Sequence, residues 1–136
     1  MTRAIWQAGL VLSLVASTPV NAKDDPTKFH GRLICGSFSA QPKTSPSWND
    51  EIIVTIKDGA ISAERTQYPA PQGVVFKGIV APSGAILMAS TASSGGEAEW
   101  NYEFSGTLNK GGTTQLKGKL TATKGLLGYR ICSMSF

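Results

Sequence analysis

The chain has 136 residues and a small positive charge, with 13 lysines and arginines against 9 aspartates and glutamates. This length allows a targeting segment and one modest hydrophobic core, and it is too short for two ordinary domains. The basic residues are scattered along the chain. We therefore predict that nucleic acid is not a partner, because a nucleic-acid surface needs clustered lysine and arginine.

The first 22 residues are predicted to be a cleaved signal peptide. Arg3 precedes an apolar run from Ala4 to Ala16, and residues 20–22 form a small-residue ending. This is the order of a secretory signal, and the apolar run is too short for an ordinary membrane-spanning helix. A buried N-terminal helix is the alternative. We expect a periplasmic or secreted protein with a single all-β domain over residues 23–136.

The rest of the chain shows the alternating apolar pattern of β-strands and almost no helical periodicity. In one stretch Ile52, Val54 and Ile56 share a face, and Asp58-Gly59 then predicts a tight hairpin. Eight strands are predicted: Phe29–Ser39, Glu51–Lys57, Ala60–Thr66, Val74–Ala81, Ala85–Thr91, Trp100–Asn109, Thr113–Thr123 and Leu126–Phe136.

Strand order and in-strand glycines favour a barrel. Gly78, Gly106 and Gly118 occupy predicted inward positions, where the missing side chain lets a strand bend. Sequential strands joined by short turns then give a small eight-stranded antiparallel up-and-down barrel. A β-sandwich is the alternative.

The two cysteines, Cys35 and Cys132, fall in the first and last predicted strands. These strands are neighbours in an up-and-down barrel, and an isolated cysteine pair is expected to form a disulfide in an oxidising compartment. A loop of this length is stabilised by about 4–5 kcal/mol on the chain-entropy model. Two buried free thiols are the alternative.

We predict no catalytic residue, no cofactor and no metal site. His30 is the only histidine, and two cysteines with one histidine are a poor zinc ligand set. The sequence has no G-x-S-x-G, H-E-x-x-H or phosphate-loop motif. The acidic group Glu97, Glu99 and Glu103 is better explained as solvated surface than as a glycosidase pair. An enzyme using His30 or these carboxylates is the alternative.

Three aromatic residues are predicted to form a ligand-binding surface. Trp48 and Tyr68 fall in predicted loops, and Trp100 begins a predicted strand near the barrel mouth. Aromatic side chains in such places bury a large area at a small entropic cost. The stripe Trp100, Tyr102 and Phe104 is more simply core, and an eight-stranded barrel can hold either side chains or one small ligand.

The predicted partners are an unknown small ligand or another exported protein. Gln115, Lys117 and Lys119 form a polar row on the outer face of the seventh predicted strand. This row disfavours a barrel integral to a membrane, whose outer face must be apolar. We therefore expect a non-catalytic binding module, with an inhibitor of an envelope or secreted hydrolase as the alternative.

Two short motifs carry a family resemblance. They are Gly31-Arg32-Leu33-Ile34-Cys35-Gly36 and Arg130-Ile131-Cys132, which resemble the Gly-x-Leu-x-Cys-Gly start and Arg-x-Cys ending of small exported bacterial domains. The layout also resembles secreted meander barrels, such as avidin-like proteins and periplasmic inhibitors of proteases or lysozyme. The resemblance implies a secreted barrel. It assigns no functional residue, because neither a biotin site nor an inhibitor loop matches residue by residue.

Overall fold

The computed structural model describes residues 25–70, 73–94 and 98–136, so the predicted signal peptide lies outside the described residues. Each strand pairs with its neighbours in the chain, and the first also pairs with the last. The all-β, eight-stranded antiparallel up-and-down barrel is thereby confirmed, and the sandwich alternative is wrong. The strands are β1 (Thr27–Cys35), β2 (Trp48–Lys57), β3 (Ala60–Arg65), β4 (Val75–Val80), β5 (Ala85–Ser94), β6 (Ala98–Thr107), β7 (Gln115–Lys124) and β8 (Gly128–Ser135).

The two ends of the barrel differ in how the strands are connected. The hairpins β2–β3, β4–β5 and β6–β7 lie at one end, together with the strand ends Thr27 and Ser135. We call this the closed end. The four other connections lie at the opposite end, which we call the mouth. Within the described ranges, no helix is long and apolar enough to cross a membrane.

The strand boundaries at the mouth differ from the predicted ones, most of all in β1, β2 and β5. β1 ends at Cys35, so the prediction that it runs to Ser39 is wrong. β2 begins at Trp48 rather than at Glu51, because Trp48 pairs directly with Cys35 of β1. β5 continues to Ser94 because its last residues pair with the start of β6 at Ala98. Residues of weak intrinsic strand preference are therefore held in the sheet by their neighbours, as is common for β-structure.

The predicted hairpin at Asp58-Gly59 is confirmed. Asp58 has a φ of 51° and Gly59 a φ of 79°. Two consecutive positive φ values define the type I′ turn, whose twist matches that of the flanking strands. This turn fixes the register that places Ile56 of β2 opposite Ile61 of β3.

Gly118 shows why an in-strand glycine is needed for packing. A β-carbon there would overlap the carbonyl oxygen of Glu103 and would lie 2.6 Å from Cδ1 of Phe104. Because the position has no side chain, the Phe104 ring lies directly over β7. Phe104 is fully buried as a result, and the predicted inward face of Gly118 is confirmed.

The half of the barrel towards the closed end is filled by side chains. Rings of Phe29 and Phe136 pack at this end with their centroids 5.5 Å apart. The backbone of Thr114 exchanges hydrogen bonds of 2.7 and 3.0 Å with that of Phe136. The residues without solvent exposure are the apolar inward positions Leu33, Ile52, Val54, Met88, Phe104, Leu116 and Met134, together with Cys35.

A disulfide fastens the seam between β1 and β8. This seam is short, with four paired positions on each strand. Cys35 and Cys132 are direct partners in it, with their Cα atoms 4.1 Å apart and their sulfur atoms 2.07 Å apart. The predicted disulfide is confirmed, and the alternative of two free thiols is wrong.

A second seam, between β4 and β5, is shorter still. Only the residues from Gly78 to Val80 pair with β5, so the two strands separate towards the mouth. Tyr102 of β6 bridges part of this opening, because its hydroxyl oxygen accepts a 2.9 Å hydrogen bond from the backbone N–H of Lys77. On the mouth side of this seam, a side-chain hydrogen bond therefore stands where the backbone ladder is absent.

Candidate functional site

A cavity of about 240 Å³ opens at the mouth of the barrel. We call it the mouth pocket. It is somewhat smaller than the roughly 300–1,000 Å³ of pockets for drug-sized ligands. Its walls combine four aromatic, three aliphatic and two cationic side chains: Trp48, Phe76, Trp100 and Tyr102; Val74, Ala92 and Leu120; Arg65 and Arg130.

The strand period directs the two tryptophans into this pocket. Trp48 lies in phase with the buried Ile52 of β2, and Trp100 lies in phase with the buried Phe104 of β6. Side chains at every second position share a face of a strand. Both tryptophans are only partly buried and pack against the edge of the core cluster. They therefore present aromatic surface to whatever enters the mouth.

Arg65 is held between two aromatic rings. Its guanidinium carbon lies 5.4 Å from the centroid of Trp48 and 4.7 Å from that of Tyr68. Its Nη1 donates to Oδ2 of Asp50 at 3.3 Å, which forms an ion pair. Its Nε is buried without a hydrogen-bond partner in the part of the chain that the structure describes. Such an unpaired donor costs about 1–3 kcal/mol.

Arg130 anchors the connection between β1 and β2. Its Nη1 donates to the carbonyl oxygens of Gly36 at 2.8 Å and Pro46 at 3.0 Å. The guanidinium carbon also lies 5.8 Å from the Trp48 ring centroid and 5.9 Å from that of Phe38. Burial lowers the pKa of the Arg130 guanidinium from its usual value, although an arginine remains charged at neutral pH.

Phe38 covers one side of the mouth. Its ring is buried and meets Trp100 edge-on, with a centroid distance of 5.8 Å. Gly128 makes room for this ring, because a β-carbon at Gly128 would lie 2.6 Å from the Phe38 Cζ. Next to it, the backbone of Ser39 donates to the Tyr129 carbonyl oxygen at 2.9 Å. The β1–β2 connection is therefore fixed against β8.

The structure brings two of the three predicted site residues into one pocket. Trp48 and Trp100 both line it. Trp48 does so from the first position of β2, so its prediction as a loop residue is wrong. Tyr68 lies in the β3–β4 connection as predicted, and it stacks on Arg65 with half of its surface exposed rather than lining the pocket.

Sequence reasoning missed Arg65, Arg130 and Phe38. Arg65 continues the inward phase of Ile61 and Ala63 in β3, so strand periodicity could have found it. Arg130 could have been found from the disulfide, because Cys132 faces inwards two positions later on the same strand. Phe38 lies in an irregular connection, where no periodic pattern tells which side chain turns inwards.

The other sequence candidates lie outside the mouth pocket. His30 is exposed on β1. Glu99 and Glu103 are exposed and four positions apart on β6, which corresponds to about 13 Å along a strand. Glu97 lies outside the described residues. Among those described, no cluster of three histidine, cysteine or acidic side chains is placed to hold a metal ion.

A larger concavity, of about 580 Å³, lies on the outer face of β5, β6 and β7. It is an open polar saddle, with Asn101, Glu103 and Lys119 among its lining residues. Because it encloses nothing and lacks apolar walls, it is a weaker candidate for ligand binding than the mouth pocket.

Comparison with protein-family models, curated proteins and solved structures found no match. The resemblance to avidin-like and inhibitor-type barrels therefore stays a prediction.

Proposed function

We propose that the protein is an exported, non-catalytic binding module that holds a small ligand in the mouth pocket. The observation that carries this proposal is the contrast inside the barrel. The middle of the closed half is filled by fully buried side chains, and the concavity of about 450 Å³ between its hairpin turns is shallow and open. The mouth keeps a more enclosed cavity of about 240 Å³ between inward-facing side chains. A mainly apolar cavity with a few fixed polar groups is the usual form of a small-molecule site.

Export is supported by two independent features. The first 22 residues have the order of a secretory signal. The disulfide between Cys35 and Cys132 is consistent with an oxidising compartment. Together these two features support the proposed periplasmic or secreted location.

A fragment screen with two matched variants tests the proposal. Small-molecule fragments are screened for binding by thermal shift, and each hit is titrated against the unaltered protein, Trp100→Ala and Tyr129→Ala. Trp100 lines the pocket, whereas Tyr129 is an exposed aromatic on β8 and does not. We expect hits whose affinity falls at least about tenfold in Trp100→Ala, since a buried aromatic contact contributes over 1 kcal/mol.

Two results would count against the proposal. One is a screen without hits. The other is a set of hits that bind Trp100→Ala as well as the unaltered protein, because these would lie elsewhere on the surface. Unchanged binding in Tyr129→Ala is the control that separates loss of the mouth site from a general effect of removing an aromatic ring.

A protein partner at the same end is the second candidate function. Tyr68, Leu126 and Leu127 lie in connections at the mouth and are 50%, 53% and 64% exposed. Exposed apolar residues grouped at one end favour a protein interface. Such a partner would suit an inhibitor of an envelope or secreted hydrolase. Capture of a hydrolase from envelope extracts by this protein, but not by Leu126→Asp/Leu127→Asp, would support it, and capture of no hydrolase would refute it.

A further inference from the structure

We infer that the ligand of the mouth pocket is a small carboxylate carrying a flat aromatic ring. This inference rests on the proposed function, because it names the chemical class that the same pocket would accept. It follows from the charge around the pocket, from the donors of its two arginines, and from the shape of its aromatic walls.

The charge around the pocket is not balanced by the described residues. Arg65 and Arg130 both line the cavity, and within residues 25–70, 73–94 and 98–136 the one ion pair is that between Arg65 and Asp50. Arg130 binds two neutral carbonyl oxygens and lies near two aromatic rings. A partly desolvated cation without a carboxylate partner is unfavourable. An anion in the pocket would supply the missing counter-charge.

Arg65 offers donors of the right kind for a carboxylate. Asp50 uses Nη1, while Nε is buried with no hydrogen-bond partner among the described residues. A guanidinium presents its N–H groups as a planar fork that matches the two oxygens of a carboxylate. The Arg65 side chain lines the pocket and keeps 21% of its surface accessible. A small shift of this guanidinium towards an anion would also pair the Nε donor.

The remaining walls favour a ring over a compact inorganic anion. Trp48, Phe76, Trp100 and Tyr102 surround the cavity, and aromatic rings pack well edge-on or offset against one another. A cavity of about 240 Å³ is below the roughly 300–1,000 Å³ of pockets for drug-sized ligands, so it suits a compact ligand with one ring.

Four probes separate charge from shape. Benzoate is compared with benzamide, which has the same outline without charge, with benzylamine, which carries a positive charge, and with inorganic phosphate, which has no ring. Binding is measured by calorimetry and by the indole N–H signals of Trp48 and Trp100. We expect benzoate to bind at least about tenfold more tightly than the other three, because it alone combines a ring with an anion that can form a charge-assisted pair with arginine.

Three charge variants connect this preference to the named residues. Arg65→Gln should weaken benzoate binding about tenfold. Asp50→Asn should strengthen it about threefold or more, because it removes a competing negative charge while keeping nearly the same shape. Arg32→Gln is the matched control: it removes one positive charge from the exposed outer face of β1, where Arg32 binds Asn49. We expect it to change the affinity less than about twofold.

The possible failures are distinguishable. If benzamide binds as tightly as benzoate, the ligand need not be an anion. The same follows if Asp50→Asn and Arg65→Gln leave the benzoate affinity unchanged, and in both cases the pocket remains a binding site. If phosphate binds as tightly as benzoate, the inference that the ligand carries an aromatic ring is wrong. If neither these probes nor any screened fragment binds at the mouth, the proposed function fails and this inference fails with it. Should Arg65→Gln not fold, Asp50→Asn still decides the question.

Discussion

The closed half and the mouth of this barrel share the same alternation of inward and outward residues. They differ in which side chains occupy the inward positions. In the closed half the inward positions are apolar, and those at its centre, such as Met88, Phe104 and Leu116, are fully buried. At the mouth the same inward phase brings in the partly exposed Trp100 and Arg65. The difference shows that stability and recognition can be separated along the axis of a single small sheet, without a second domain.

The two halves also differ in what holds their backbone. β4 and β5 are paired only near the closed end, through Gly78–Val80. On the mouth side of this seam, the Tyr102 hydroxyl accepts a hydrogen bond from the Lys77 amide, and elsewhere at the mouth Arg130 donates to the β1–β2 connection. We therefore expect substitutions in the closed half to act mainly on the free energy of unfolding, and those at the mouth to act mainly on local structure.

Removing the disulfide should have the largest effect, because it fastens the seam on which both halves depend. Cys35→Ala/Cys132→Ala should reduce the free energy of unfolding by about 4–5 kcal/mol, as measured by urea denaturation. The reduced unaltered protein should unfold at nearly the same urea concentration as the variant, and reductant should not shift the variant. An unchanged midpoint would show that the seam holds without its covalent link.

A matched pair of aromatic truncations tests the difference in packing directly. Phe104→Ala should cost about 3–5 kcal/mol, because Phe104 is fully buried in the closed half. Trp100→Ala should cost about half as much, because Trp100 is only partly buried at the mouth. Both values come from chemical denaturation. Equal losses would mean that the mouth is packed as tightly as the closed half.

Gly128→Ala should loosen the mouth while the closed half stays intact. The new methyl group would displace the Phe38 ring from Trp100, at a cost of about 1–3 kcal/mol. We expect a changed near-ultraviolet circular dichroism signal with an unchanged far-ultraviolet spectrum. Gly111→Ala is the control, since the nearest atom to its added carbon lies 4.0 Å away. If the two variants give the same spectra, Phe38 is not held by contact with Gly128.

Tyr102→Phe should have the smallest effect and the most local one. It removes the acceptor of the Lys77 amide where β4 and β5 separate, at a cost of about 1 kcal/mol. Hydrogen exchange at the Lys77 amide should become faster, while exchange in the closed half should stay the same. Tyr129→Phe, on an exposed ring, should leave both unchanged. A protected Lys77 amide in Tyr102→Phe would mean that another group bridges the gap.

The sequence predicted those features of the fold that repeat along a strand. Alternation located the inward faces of β2 and β6, and the turn chemistry of Asp58-Gly59 located a hairpin. The cysteine positions, combined with strand order, predicted the pairing of β1 with β8. These features are local or follow from topology, so no knowledge of side-chain volumes was needed.

The sequence did not predict which part of the interior stays open. That outcome depends on whether the inward side chains fill the volume at each level of the barrel, which follows only from the assembled geometry. Phe38 illustrates the difficulty, because it reaches the mouth from an irregular connection. The early separation of β4 from β5 likewise depends on how far each ladder extends, and alternation alone does not set that length.

The even number of strands has a practical consequence for handling the protein. Thr27 and Ser135 both lie at the end opposite the pocket. An affinity tag, fluorophore or sensor-chip linkage joined directly after Phe136 would therefore sit on the far side from the cavity. Immobilised in this way, every molecule would present its opening to the flowing solution.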